Sequence, residues 1–355
     1  MQLGIIGLPQ VGKTTIFELL TESKIKDHQV QGKAHSAMAR IPDERIDFLS
    51  RAYKPKKTTY AQLEVIDVPG LVPGSDKASS NFLEAVRRAD ALLHVVRAFS
   101  NDQVASLMDD INPMKEIEAV HYELILADLD LVEKRIDRIN SNKKKHQMIE
   151  ELQLFEKLKS QLENEMPISL DELDDKAREI LQSYQFLTSK PLFICVNLSE
   201  DKIESPDYQD RERLFEHADK LSIPVAEISA DIEREISLLQ GEDRAMFMEE
   251  LNIKEPGMVK IARNMYQLLG LISFFTVGED EVKAWTIEAG TVARKAAGKI
   301  HSDIERGFIR AEVFAFDDYK EWGGVPVLKE KGLVRLEGKE YLVKDGDIIH
   351  FRFNV

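Results

Sequence analysis

The sequence has a single cysteine, Cys195, among its 355 residues, so no disulfide can form within the chain. Set between Leu192-Phe193-Ile194 and Val196, it reads as a small core hydrophobe on a buried strand. Long apolar runs are missing too. None approaches the roughly 20 residues of a membrane span, and Met1-Gln2 leads into a strand without a signal-peptide pattern, which together predict a cytoplasmic protein with no membrane partner. Basic charge is the minority: 48 Lys and Arg stand against 63 Asp and Glu, a net charge of −15. An acidic surface repels nucleic acid, so no DNA specificity is expected, and any RNA contact must rest on a local basic patch. Finally, no threonine lies between Thr21 and Thr58. A switch loop that senses a terminal phosphate through such a threonine is excluded in its usual form, leaving Ser36 either as a substitute or as plain surface loop.

What is present begins at the N-terminus. Leu3-Gly4-Ile5-Ile6 is a short apolar run that reads as a strand, and Ile16-Phe17-Glu18-Leu19-Leu20 has helical spacing. Between them stands Gly7-Leu8-Pro9-Gln10-Val11-Gly12-Lys13-Thr14-Thr15, the spacing of a P-loop in its strand-to-helix context. Glycine lets the backbone approach phosphate, the N–H groups of Pro9's successors Gln10 to Thr15 turn inward, Lys13 meets the outer phosphates, and the Thr14 hydroxyl holds Mg²⁺. The helix N-terminus adds partial positive charge. Pro9, Gln10, Val11, Gly12, Lys13, Thr14 and Thr15 are therefore the expected phosphate cradle.

The strand Leu63-Glu64-Val65-Ile66 ends in Asp67-Val68-Pro69-Gly70. Asp67 is expected with Thr14 in the Mg²⁺ shell, and Gly70 near the terminal phosphate. Leu71 follows where many GTPases carry a water-orienting glutamine, and leucine has no polar group to orient water. Ala91 to Val96 is another buried strand, with His94 read as a satisfied core histidine. Apolar residues then recur at three and four over 116–138 and 147–165, interrupted by Asn140-Ser141-Asn142-Lys143-Lys144-Lys145, which predicts a helical hairpin with a basic tip. The strand 192–196 ends in Asn197-Leu198-Ser199-Glu200, where GTPases place Asn-Lys-x-Asp. Glu200 is one methylene longer than the guanine-reading aspartate, whereas Asn197 offers an acceptor and donors suited to the N6/N7 edge of adenine. Ser229-Ala230, after the strand 225–228, completes the expected base site. From about Phe274 the pattern is strand-rich: 282–287, 308–313, 340–343 and 348–353, with one helix near 296–305. Lys295, Lys299, Arg306 and Arg310 cluster there, either as a phosphate-backbone surface or as an ordinary solvated face.

These motifs, with the run Ala296-Ala297-Gly298-Lys299-Ile300-His301-Ser302-Asp303-Ile304-Glu305-Arg306-Gly307-Phe308 and Val343-Lys344-Asp345-Gly346-Asp347, resemble the YchF or Obg-like ATPase family over nearly the whole chain. The resemblance implies an α/β fold: a Ras-like P-loop domain (1–112 and 190–270), a coiled-coil insertion (113–189) and a ubiquitin-like β-grasp (TGS) domain (271–355). It implies ATP hydrolysis in preference to GTP, Mg²⁺ as cofactor, and association with ribosomes and rRNA through the hairpin and C-terminal domain. Asn197 and Leu198 match the family's adenine-contacting positions, and Leu71 its hydrophobic replacement of the glutamine. Three departures stand out: the first-switch run Thr-Ile-Glu-Pro-Asn, due near Gln31, is absent; the stretch Pro73 to Asn81 is short; and the histidine proposed to assist hydrolysis is replaced at Ser106. The alternatives to a slow ATPase are a nucleotide-gated RNA- or ribosome-binding module with negligible turnover, and a GTP-binding protein.

Overall fold

A computed structural model describes residues 1–24, 35–72, 76–100, 110–143, 145–170, 173–181 and 183–354. The expectations at Gln31 and Ser106, the glycine-rich-loop segment 73–75, and Lys144 of the basic tip fall outside these residues. By internal contacts the chain divides into two compact units, Met1–Ala37 with Glu64–Met258, and Met38–Leu63 with Val259–Val355.

The strands are β1 (Gln2–Ile6), β2 (His35–Arg40), β3 (Lys57–Thr59), β4 (Gln62–Asp67), β5 (Ala91–Ala98), β6 (Leu192–Leu198) and β7 (Val225–Ile228), then β8 (Leu271–Thr276), β9 (Glu281–Glu288), β10 (Phe308–Ala315), β11 (Arg335–Glu337) and β12 (Asp347–Phe353). The helices used below are α1 (Lys13–Thr21), α2 (Glu44–Tyr53), α3 (Asp76–Arg88), α4 (Pro113–Asn140), α5 (Ile149–Glu163), α6 (Asp175–Leu181), α7 (Arg211–Lys220) and α8 (Ala230–Leu238). They are followed by α9 (Gly241–Glu250), α10 (Gly257–Leu268), α11 (Ala293–Ile300) and α12 (Ser302–Arg306).

The first sheet runs β2-β4-β1-β5-β6-β7, and β1 pairs in parallel with β4 and β5, β5 with β6, and β6 with β7. Every residue of β5 is buried, as a parallel strand covered on both faces requires. The registers Ile5↔Asp67, Arg97↔Asn197 and Asn197↔Ile228 bring the C-terminal ends of β1, β4, β6 and β7 to one edge, the edge at which such sheets bind ligands.

The hairpin forms as its periodicity predicts. Asn112 caps α4, its side chain accepting from Met114 N–H and Lys115 N–H at 3.0 and 3.2 Å, and Pro113 occupies the first turn, where no N–H is needed. Ile125 and Val132 of α4 pack on Phe155, Leu158 and Leu162 of α5. Asp128, fully buried, pins the returning chain: it accepts from the N–H of Leu187 and Thr188 and from the Thr188 hydroxyl at 2.8–2.9 Å.

The second unit carries a sheet in the order β11-β10-β12-β8-β9-β3. An antiparallel β8–β9 hairpin, a helix, and a last strand parallel to the first (Ile348↔Phe275) make the β-grasp arrangement. The small residues Ala293, Ala296 and Ala297 let α11 approach Phe274, Ile287, Val313 and Phe351 closely. Three details differ from expectation. The helix expected over 296–305 breaks at His301, whose backbone is extended (φ −162°, ψ 142°) and whose Nδ1 accepts from Asp303 N–H, starting α12 anew. Residues 340–343 supply one bridge, Val292↔Leu342, instead of a strand. Residues 38–63, expected with the nucleotide domain, lie in the second unit, where β3 adds in parallel to β9 through Lys57↔Glu281 and Thr59↔Lys283.

Candidate nucleotide-binding site

The loop between β1 and α1 takes the backbone path its glycines permit. Gln10 and Gly12 have φ of 63° and 99°, the left-handed region. At Gly12 a Cβ would collide with the side-chain amide nitrogen of Asn197, and at Gly70 it would lie 2.8 Å from Pro9 N. The two loops are tied by Leu71 N–H donating to Gly7 O at 3.2 Å. Pro9, Gln10, Gly12, Thr14 and Thr15 are at least partly accessible, while Val11 and Lys13 are buried.

Lys13 Nζ folds back and donates to Leu8 O at 2.6 Å. Burial pushes this ammonium down to about 8, against the pull of Asp67 and, less strongly, of Glu116. Thr14 Oγ1 donates to Asp67 Oδ2 at 2.8 Å, while Asp67 Oδ1 is buried without a hydrogen-bond partner. Burial raises the Asp67 carboxyl above its usual range; the Thr14 hydroxyl and Lys13 hold it down. A buried acceptor without a donor is costly, and a hydroxyl beside a carboxylate with a free oxygen is a hard, oxygen-only donor set that fits Mg²⁺.

On the base side the structure corrects two expectations. Asn197 is 4% exposed and does not present its amide to a base. Its Nδ2 donates to Val11 O at 3.1 Å and its Oδ1 accepts from Ala230 N–H at 3.0 Å, so it bridges the phosphate loop to the Ser229-Ala230 turn. Leu198 is 2% exposed and packs with Val96, Met114, Ile117 and Leu214, an apolar cluster that leaves it no surface for a base. Glu200 begins a short 3₁₀ turn and is exposed. Ser229 and Ala230, both buried, cap and open α8, and Arg234 one turn on reaches Thr15 Oγ1 at 3.3 Å.

Leu71 is fully buried, so no side chain of polar character replaces the glutamine at that position. Ser36 lies in β2, lining a cleft of about 360 Å³ with His35, Ile66 and Pro69. His94 is buried as expected, but its Nε2 has no partner, and burial first, then His121 and Lys13, depress it to about 3, so it is neutral. A separate cleft of about 700 Å³ at the root of the hairpin is lined by His121, His217, Met166 and Pro167 rather than by the phosphate loop.

Sequence reasoning missed Glu116. It is 4% exposed in the first turn of α4, and its Oε2 accepts from Arg97 N–H at 2.9 Å. Burial pushes it up to about 7 against the opposing influence of Arg97 and Lys13. A glutamate at the start of an amphipathic helix carries no sequence signal that separates it from an exposed first-turn acid.

With this geometry in view, the relatives become informative. The pattern of the family described as 50S ribosome-binding GTPase matches residues 2–198, and that of the YchF GTPase C-terminal domain, described as a protein of unknown function, matches 271–354. The "Ribosome-binding ATPase YchF" of Bacillus subtilis is 41% identical over 361 residues, spanning 99% of each chain. The chain belongs to the YchF family. The "Obg-like ATPase 1" of Oryza sativa is 37% identical, spanning all of this chain and 92% of the relative. Among solved structures, the YchF GTPase of Schizosaccharomyces pombe is similar at 31% identity and a TM-score of 0.88, covering 99% of this chain and 97% of that one. This YchF chain therefore shares an architecture of P-loop domain, helical insertion and C-terminal β-grasp domain with its family.

Proposed function

We propose that the chain binds ATP with Mg²⁺ at the edge formed by Gly7–Thr15, Asp67–Gly70 and Asn197–Ala230, hydrolyses it slowly, and associates with ribosomes in the cytoplasm. The observation that carries the reading is the pairing of Thr14 Oγ1 with Asp67 Oδ2 beside the unpartnered Asp67 Oδ1, below a left-handed loop. Thr14 and Asp67 would hold the cation, directly or through its water shell. When bound, Mg²⁺ supplies charge neutralisation at the outer phosphate oxygens. Lys13 would exchange Leu8 O for a phosphate oxygen, and the loop amides would hold the rest of the polyphosphate. A water would attack the terminal phosphorus as the bond to the bridging oxygen breaks, giving the diphosphate and inorganic phosphate.

Asn197 acts here as a brace, so base preference rests on the backbone and shape of the Leu198–Glu200 and Ser229-Ala230 loops. The printed names of relatives divide between ATPase and GTPase; adenine is favoured because Glu200 replaces the guanine-reading aspartate. A second reading, a nucleotide-gated ribosome-binding module with negligible turnover, is favoured by one observation, the complete burial of Leu71. Titration with ATP and GTP in Mg²⁺, with phosphate release followed with and without ribosomes, separates them. Tight ATP binding with ribosome-stimulated release supports the ATPase; binding without release in either condition supports the module; GTP outcompeting ATP overturns the base assignment.

A further inference from the structure

Lys13 is buried before any phosphate arrives, and a buried ammonium needs compensating charge. Leu8 O supplies a dipole and Asp67 a carboxylate already engaged by Thr14. The remaining acid whose charge Lys13 feels is Glu116, which belongs to neither the phosphate loop nor the Asp67 loop but to the first turn of α4, the root of the helical hairpin. Its carboxylate is held by Arg97 N–H, and Arg97 stands opposite Asn197 in the parallel β5–β6 register. Asn197 in turn holds Val11 O of the phosphate loop. Helix α4 is thus joined to the loop by two routes, one electrostatic through Lys13 and one through the Arg97–Asn197 pair.

We propose that Glu116 is a positioning residue of the nucleotide site, which shares the Lys13 ammonium until a phosphate takes it and thereby makes the root of the hairpin respond to occupancy of the loop. When an anionic phosphate takes Lys13, Glu116 loses part of its counter-charge in a site with little water. A buried carboxylate so placed must gain a proton or shift its helical turn, and either is a change at α4. Phosphate and Glu116 also compete for one cation, so Glu116 weakens nucleotide binding as it couples it to the hairpin.

The inference rests on the reading of Gly7–Thr15 as a nucleotide site, and the test separates the two. Glu116→Gln keeps an oxygen for Arg97 N–H while removing the charge. In nucleotide-free protein, the rate of Lys13 acylation against pH is measured by mass spectrometry for wild type and E116Q. Loss of a neighbouring anion should move the Lys13 midpoint to lower pH. Separately, ATP affinity and hydrogen exchange over 113–124 are compared with and without ATP and Mg²⁺. Wild type should show an ATP-dependent change in exchange that E116Q loses, and E116Q should bind ATP several-fold more tightly. An unchanged Lys13 profile, or an E116Q exchange response and affinity equal to wild type, overturns the inference and leaves the site reading intact. Failure of wild type to bind ATP or GTP while the Lys13 midpoint still moves overturns the site reading and the coupling, leaving only the charge pairing. Should E116Q prove unstable, Arg97→Lys, which leaves the backbone N–H in place, controls for general loosening: it should retain the exchange response.

Discussion

The phosphate half and the base half of the candidate site are built on opposite plans. Around Lys13, Thr14 and Asp67 polar capacity is left over: one carboxylate oxygen has no partner, and an ammonium rests on a single carbonyl. Around Asn197, Ser229 and Ala230 it is committed, with the asparagine amide joined at both ends to backbone. Unfinished hydrogen bonding marks where a ligand completes the structure; finished hydrogen bonding marks where the structure holds itself. Affinity should therefore come from the polyphosphate, with the base discriminated weakly.

The strongest way to break this contrast is Lys13→Ala, for which nucleotide affinity should fall by at least about 100-fold, close to 3 kcal/mol, as read by calorimetric titration; intact affinity would refute the phosphate half. Asn197→Ala should sharpen it. With Val11 O and Ala230 N–H both left unpaired, denaturant unfolding should show a loss of about 2–4 kcal/mol, and ATP and GTP affinities should fall together; a selective loss of ATP would return Asn197 to the base. Thr14→Ala should abolish the Mg²⁺ dependence of nucleotide affinity while metal-free binding persists, a difference that titration in EDTA measures.

A pH experiment addresses the buried groups behind the loop. His94 is depressed to about 3 in the fold, so below the ordinary histidine pKa near 6.5 the unfolded chain takes up a proton that the folded chain refuses. Its contribution to stability is whole above pH 6.5 and declines as pH falls toward 3. Relative to His94→Leu, wild type should lose about 1 kcal/mol per pH unit between pH 6 and 4. Glu116, raised to about 7, acts in the opposite sense between about 4.5 and 7, so the comparison must be between variants that both retain it. The smallest effect is expected for Glu200→Asp: with Glu200 exposed and the asparagine engaged elsewhere, the ATP-to-GTP preference should change by less than about 3-fold, near 0.6 kcal/mol.

Sequence made the phosphate loop legible because its constraints are local. Glycine at positions 7, 12 and 70 and the strand-to-helix context are facts about neighbouring residues, and the hairpin's period is equally local. Asn197 was found at its right place but with the wrong task, since the partners that occupy it, Val11 O and Ala230 N–H, are 186 and 33 residues away. Leu198 was misjudged for the same reason: its burial depends on α4 and α7 closing over it. The break at His301 escaped notice because a helix-compatible run can be restarted by one side chain accepting from an N–H two residues on. Glu116 and the unpartnered His94 Nε2 could not be read at all, since only the tertiary fold removes water from them.

The placement of residues 38–63 in the second unit has a consequence for biosynthesis. This segment, which carries the fully buried Ile46 and Leu49, leaves the ribosome early, yet the strand that β3 joins lies beyond residues 64–258. At about 5–20 residues per second, those intervening residues take about 10–40 s to make. Throughout that interval an apolar helix and a short unpaired strand have no native partner, which makes α2 and β3 the part of the nascent chain most in need of a chaperone.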